Sequence, residues 1–175
     1  MTEQEQNDQT FMNLALEQGQ LAFECGEVPV GAVVVLAGQV IGRGYNKPIT
    51  SLDPSAHAEV VALRDAAKNI GNYRLSGATL YVTVEPCTMC AGLLVHSRID
   101  RLVYGTTEPK SGVIESAMCL LDRPFYNHKI DILGGVLAKE ASSLMSDFFS
   151  MRRAGKKKLK QALIVGENLP LSNKK

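Results

Sequence analysis

ATLYVTVEPCTMCAGLLVHSRI, residues 78–99, is the stretch that decides the fold. Its first half, Thr79–Val84, is rich in β-branched and aromatic residues and reads as a strand. Its second half, Pro86–Ser97, reads as a helix with proline in its first turn, where the missing N–H is tolerated. Toward the C-terminus, Ile99–Gly105 and Lys129–Leu133 read as further strands. Leu137, Ala141, Leu144, Met145 and Phe148 then make the apolar stripe of a final helix. Toward the N-terminus, Ser55–Asn69 reads as a helix whose start chemistry comes from Asp53, Pro54 and Ser55. Before it, Val28–Leu36 and Gln39–Gly44 are two β-branched runs parted by Ala37-Gly38, a hairpin signal. Phe11, Leu14, Ala15, Ala22 and Cys25 fall at helical spacing and predict a first helix ending near Gly26. Strands alternating with helices predict an α/β domain with some parallel pairing. Thr106 to His128 is a long connection of the kind that often binds ligands, with Val113–Leu121 a candidate short helix inside it.

Length and composition set the limits. A chain of 175 residues fits one domain with a substantial core, and 45% hydrophobic with 21% charged residues is the make-up of a soluble globular protein. No apolar run approaches the ~18–20 residues of a membrane span. The start, MTEQEQNDQT, is polar and carries no secretory segment, so a cytoplasmic protein is expected. Residues 1–9 and the basic stretch 156–175 read as poorly ordered tails around a domain of residues 10–155.

Net charge is +1, but its distribution is uneven. Six Lys/Arg lie between Arg152 and Lys160 with no acid among them, and Lys174 and Lys175 close the chain. Without those eight, 11 basic residues face 18 acids, a body near −7. A basic tail on an acidic body fits a nucleic-acid contact; it equally fits a solvated helix end, where cations suit the macrodipole.

Four cysteines are too few for a disulfide scaffold, and only Cys87 and Cys90 are closely spaced. Three residues apart in one helical turn, both reach one point. The helix N-terminus there favours thiolate, the form that binds metal. Alone, the pair fits a metal site, a redox pair or two small buried hydrophobes. A lone His57 is more often a satisfied polar residue than a ligand. Together with two cysteines it makes three protein ligands, the number that leaves a catalytic zinc one position for water. His96, His128, Cys25 and Cys119 are the remaining candidates for a fourth ligand, and none lies at ligand-like spacing. Glu59 is placed to move protons beside the metal, or is simply a first-turn acid favoured by the macrodipole. Its offset from His57 is a tension, because residues i and i+2 of a helix do not face each other. Asn46, in Tyr45-Asn46-Lys47-Pro48, reads on sequence alone as a turn former. His96 reads as structural, Met89 and Leu93 as core, and Cys25 and Cys119 as buried.

H-x-E followed by P-C-x-x-C is the signature of the zinc nucleobase deaminases. The likeness extends further. EVPVGAVVV (27–35), GYNKPI (44–49), DPSAHAEVVALR (53–64), NYRL (72–75), residues 78–99 and DFFSMRR (147–153) resemble the bacterial tRNA-specific adenosine deaminases. That resemblance covers roughly residues 10–155 and implies a cytidine-deaminase-like, three-layer α/β/α fold with a mixed five-stranded sheet. It implies a homodimer that turns the wobble adenosine of a tRNA anticodon into inosine, releasing ammonia. His57, Cys87 and Cys90 then match the ligands of one Zn2+ per subunit, Glu59 the proton shuttle, and Asn46 a contact to the target nucleotide. Lys110 and Asn127 match positions that approach the anticodon stem-loop, Glu108 stands where the family carries Asp, and Arg152 and Arg153 match basic residues near the RNA path. Two rivals remain at this point: a superfamily deaminase acting on a free base or nucleotide, and a non-catalytic RNA-binding protein with a structural zinc.

Overall fold

The computed structural model describes residues 1–165 and has the element order α1 (Glu3–Glu24), β1 (Gly31–Leu36), β2 (Gln39–Tyr45), α2 (Pro48–Ser51), α3 (Ala58–Ile70), β3 (Thr79–Val84), α4 (Thr88–Ser97), β4 (Arg101–Thr106), β5 (Asp131–Leu133) and α5 (Ala138–Val165). The five strands form one sheet in the order β2-β1-β3-β4-β5. β1 pairs antiparallel with β2 and β3, while β3, β4 and β5 run parallel. The sheet is therefore mixed, with the hairpin on one side and the parallel strands on the other.

Burial explains the three layers. Along β1, Ala32 and Val34 face the apolar cluster shared with α3 and α4, while Val33 and Val35 face Met12 and Ala15 of α1. The alternation of side chains along a strand means that a strand buried on both faces needs an unbroken apolar run, and GAVVVL supplies one. α5 packs beside α1 and against β3 and β4. Gly31 lets α1 approach this sheet, because a Cβ there would overlap the backbone of Ala15 and Gly19.

Helix extends into both expected tails, and residues 166–175 lie outside the described residues. Residues 3–9 belong to α1, because Thr2-Glu3-Gln4-Glu5 is a capping box: the Glu5 N–H donates to Thr2 Oγ1 at 3.2 Å and the Thr2 N–H to Glu5 Oε2 at 2.7 Å. Asp8 is also buried, accepting from two guanidinium nitrogens of Arg101 at 2.6 and 2.9 Å and from the Tyr81 hydroxyl at 2.8 Å. At the other end, residues 156–165 continue α5, whereas Lys174 and Lys175 lie outside the described residues. The candidate helix at 113–121 is a set of turns instead. The four-residue α2, opened by Pro48, has no counterpart among the elements expected from the sequence. Met89 and both remaining cysteines, Cys25 and Cys119, are exposed rather than buried, while Leu93 packs partly buried against the core. Among the described residues, no helix is long and apolar enough to cross a membrane.

Candidate active site

Two helix starts converge beside the C-terminal end of β3. His57 is the N-cap of α3, with extended backbone at φ −72° and ψ 154°, and Cys87 is the N-cap of α4, at φ −81° and ψ 176°. His57 thus stands just outside the helix rather than in its first turn. That removes the tension over Glu59: the chain bends between residues 57 and 58, so the two side chains are not bound by helical spacing and line the same pocket.

His57 Nδ1 lies 3.7 Å from Cys87 Sγ and 3.6 Å from Cys90 Sγ, and the two sulfurs are 3.8 Å apart. This near-equilateral triangle can hold one metal ion. The sulfur separation is far beyond the ~2.05 Å of a disulfide. Among the described residues no other group of three or more His, Cys, Asp or Glu gathers in this way.

The three donors share protons in a definite order. A hydrogen bond from the Cys90 thiol holds Cys87 as thiolate, lowering its pKa to about 3, with His57 adding to the effect. The same bond and burial push the Cys90 thiol up. The hydrogen bond to Cys87 raises His57 against the opposing effect of burial. A metal would displace these protons, since it takes sulfur as thiolate and imidazole as the neutral ring. Glu59 is 4% exposed, and burial raises its carboxyl above the usual range.

The donors open on a pocket of about 130 Å3 lined by Asn46, His57, Glu59, Cys87, Glu108 and Ser111 among others. Asn46 Oδ1 accepts the Ala58 N–H at 2.8 Å, capping α3 from outside. That bond fixes the amide and leaves its NH2 as the free donor on a pocket-lining residue. Val84, Glu108 and Met145 also line an adjoining cleft of about 470 Å3, where Lys110 and Arg153 supply positive charge. A larger cleft, about 540 Å3, lies along β2 and α3 and contains none of the metal donors, so donor chemistry, not size, selects the site.

The other residues singled out in the sequence lie apart. Asn127 accepts from Arg98 at 3.1 Å in a separate cleft with Tyr73, Arg74 and Phe125. Arg152 is exposed on α5, its guanidinium 6.0 Å from the Phe148 ring centre. His96 is exposed. No local sequence signal marks Glu85, a buried acid that ties down the long loop, or Ser111 as a pocket residue.

The MafB19-like deaminase family matches residues 6–153. A tRNA-specific adenosine deaminase of Haemophilus influenzae is 51% identical over 158 residues, 90% of this chain and 91% of the relative. Its Bacillus subtilis counterpart is 42% identical over 156 residues, 89% and 97%. The chain belongs to the tRNA-specific adenosine deaminase family. Among solved structures, the fold of this family member superposes on a protein from work on A-to-I editing by tRNA:A34 deaminases at the wobble position of transfer RNA. The TM-score is 0.75 at 44% identity, covering 77% of this chain and 98% of the other. A guanine deaminase from Nitrosomonas europaea shares the fold at a TM-score of 0.71 and 22% identity, over 80% of this chain and 83% of that one. The tRNA-specific adenosine deaminase family thus accounts for the cytidine-deaminase-like α/β/α architecture, and this member is a hydrolytic C–N deaminase.

Proposed function

We propose that the protein is a zinc-dependent hydrolase that converts the wobble adenosine of a tRNA anticodon into inosine and releases ammonia. The observation that carries this reading is a buried carboxyl, Glu59, sharing a small pocket with a triangle of three metal donors. The donor set fits zinc: Zn–S bonds of about 2.3 Å and a Zn–N bond of about 2.1 Å at tetrahedral angles require edges of about 3.8 Å (S to S) and about 3.6 Å (S to N). The triangle has 3.8 Å and 3.6–3.7 Å. One zinc ion per chain would be held by His57, Cys87 and Cys90, and when bound it supplies Lewis acidity that brings the pKa of water toward neutrality.

The remaining steps belong to the chain. Glu59 takes a proton from the attacking water and passes it to N1 of the purine ring. The C6–O bond forms, Glu59 takes the second proton from the new C6 hydroxyl and delivers it to the leaving nitrogen, and the C6–N bond breaks, so that ammonia departs and C6 keeps a carbonyl oxygen. A carboxyl raised by burial suits both directions of transfer. The NH2 of Asn46 offers a donor to the flipped nucleotide. The pocket takes one base, and the adjoining cleft receives its neighbours, with Glu108, Lys110 and Arg153 along the path and Arg152 and Asn127 contacting more distant parts of the stem-loop. The protein acts as a homodimer in the cytoplasm; exposed Ile49, Leu52 and Met89 are apolar side chains that a second copy would cover.

Incubation of the purified protein with tRNA, with free adenine, guanine, cytosine and their nucleosides in parallel, tests the reading. Inosine at the wobble position with the small molecules untouched is the expected result. Turnover of a free base and none of tRNA would transfer the site to the other branch of the superfamily.

A further inference from the structure

The long loop after β4 has no helix or strand until β5, yet it supplies Glu108 and Ser111 to the metal pocket and Lys110 to the adjoining cleft. Unsupported loops of this length are mobile, and their backbone N–H groups need partners wherever they are buried. Here the partners come from one side chain. Glu85, at the end of β3 and 4% exposed, accepts the N–H groups of Ile114, Glu115 and Ser116 on Oε1, at 3.0, 2.8 and 3.0 Å. Its Oε2 accepts the Glu108 N–H at 2.9 Å and the Ser116 hydroxyl. Gly112 makes this wrapping feasible, because a Cβ there would overlap the Glu85 carboxylate. The Val113 N–H adds a bond to the Pro86 carbonyl at 3.0 Å, so the loop is fastened to the same turn that carries Cys87.

We propose that Glu85 is a positioning residue for substrate: by gathering both ends of the 108–116 segment, it sets the wall of the metal pocket formed by Glu108 and Ser111. Glu85 lines that pocket itself, but its oxygens already accept five hydrogen bonds, about the full capacity of a carboxylate, so it has none left for a reacting group. It acts through the loop. Two facts make the arrangement economical for a substrate that must be admitted and released: the anchor is a single side chain, and it stands two residues from a metal donor, so loop and metal share one rigid reference point. The claim rests on the functional reading above for the identity of the substrate, but not for the anchor.

The test uses the full-length metal-loaded protein with the substitutions Glu85→Ala, Glu85→Asp and Ser116→Ala. Metal content and unfolding midpoint control for the fold, amide exchange reads the loop, and kcat and KM are measured on an anticodon stem-loop. For Glu85→Ala, exchange at Glu108, Ile114, Glu115 and Ser116 should rise at least about tenfold with metal retained. kcat/KM should fall about 100-fold, mostly through KM, as expected when a wall of the site shifts by about an ångström. Glu85→Asp should recover part of both effects, which a group serving only strand stability would not do. If Glu85→Ala does not fold, Ser116→Ala carries the test, with a few-fold rise in KM and faster exchange at the same amides. Unchanged exchange, or a loss confined to kcat, would overturn the proposal. A wild-type protein inert toward tRNA would instead overturn the functional reading, while the exchange data would still decide whether the anchor exists.

Discussion

His57 and Cys87 reach their common point as the caps of two helices, each held by the sheet beneath it. Glu108 and Ser111 reach the same pocket on a loop with no regular structure, held by a carboxylate from another segment. The first half of the site is built by short spacings: H-x-E and C-x-x-C fix their members relative to one another along a few residues of chain. The second is built by a contact between positions 85 and 116, whose partners share no sequence pattern. The same division appears far from the chemistry, where Asp8 of α1 meets Arg101 of β4. Short spacings gather the metal donors and Glu59, and long-range carboxylates hold the frame that surrounds them.

Altering the short-spacing half while leaving the frame intact should have the gravest consequence. Replacing Glu59 with Ala should reduce turnover by about 10^4-fold while metal content and unfolding midpoint stay at wild-type values. Single-turnover kinetics with metal analysis checks both. Residual activity within about tenfold of wild type would remove Glu59 from its role.

The converse is to cut the frame without touching the metal. Asp8→Ala leaves the Arg101 guanidinium without its buried partner and should destabilise the fold by about 2–4 kcal/mol. Urea unfolding measures this. The wild-type acid limb reports the same contact. Burial pushes the Asp8 carboxyl up, but the hydrogen bonds from Arg101 and Tyr81 outweigh it and hold the group below its ordinary value of 3.8. A depressed folded value means the stability it adds is complete above about pH 4 and is lost as pH falls through the folded pKa. Asp8→Asn should therefore lower stability near neutrality and flatten its further fall below pH 4.

A third effect sits between the two halves. Because the Cys90 thiol is pushed up by Cys87, binding a metal must expel its proton. Apparent zinc affinity should rise about tenfold per pH unit for that one proton between pH 6 and 8, as competition with a chelator would show. A pH-independent affinity would mean that the triangle is already free of protons.

The mildest effect belongs to the surface. Arg152→Ala and Arg153→Ala should each weaken stem-loop binding a few-fold and reduce the log–log salt slope by about 0.7 for each phosphate no longer engaged. Binding titrations across a salt series measure it. Equal slopes for variant and wild type would leave both arginines as solvated residues of α5.

How much of this is legible in the sequence follows the same line. The strand-into-helix stretch at 78–99 and the hairpin around Ala37-Gly38 reveal the sheet, because alternation and turn chemistry are local signals. The family resemblance supplies the order of layers. The triangle is readable because each of its halves lies within one turn of chain. Sequence and structure part where a contact decides the outcome. The start of α1 reads as a tail because its polar composition hides a capping box and a buried Asp8. Glu85 reads as any acid before a proline, since nothing in one sequence says that four N–H groups 23 to 31 residues away will gather around it. Met89 reads as core because α4 is apolar nearly all round, and burial there depends on what covers the helix.

X-ray absorption at the zinc edge of the purified full-length protein looks straight at the metal on which the proposed chemistry depends. The expected spectrum shows one zinc per chain with two sulfurs at about 2.3 Å, and one imidazole nitrogen and one further light atom from solvent at about 2.0–2.1 Å. A chain without zinc, or a zinc closed off by four side chains, would refute the deaminase centre described here.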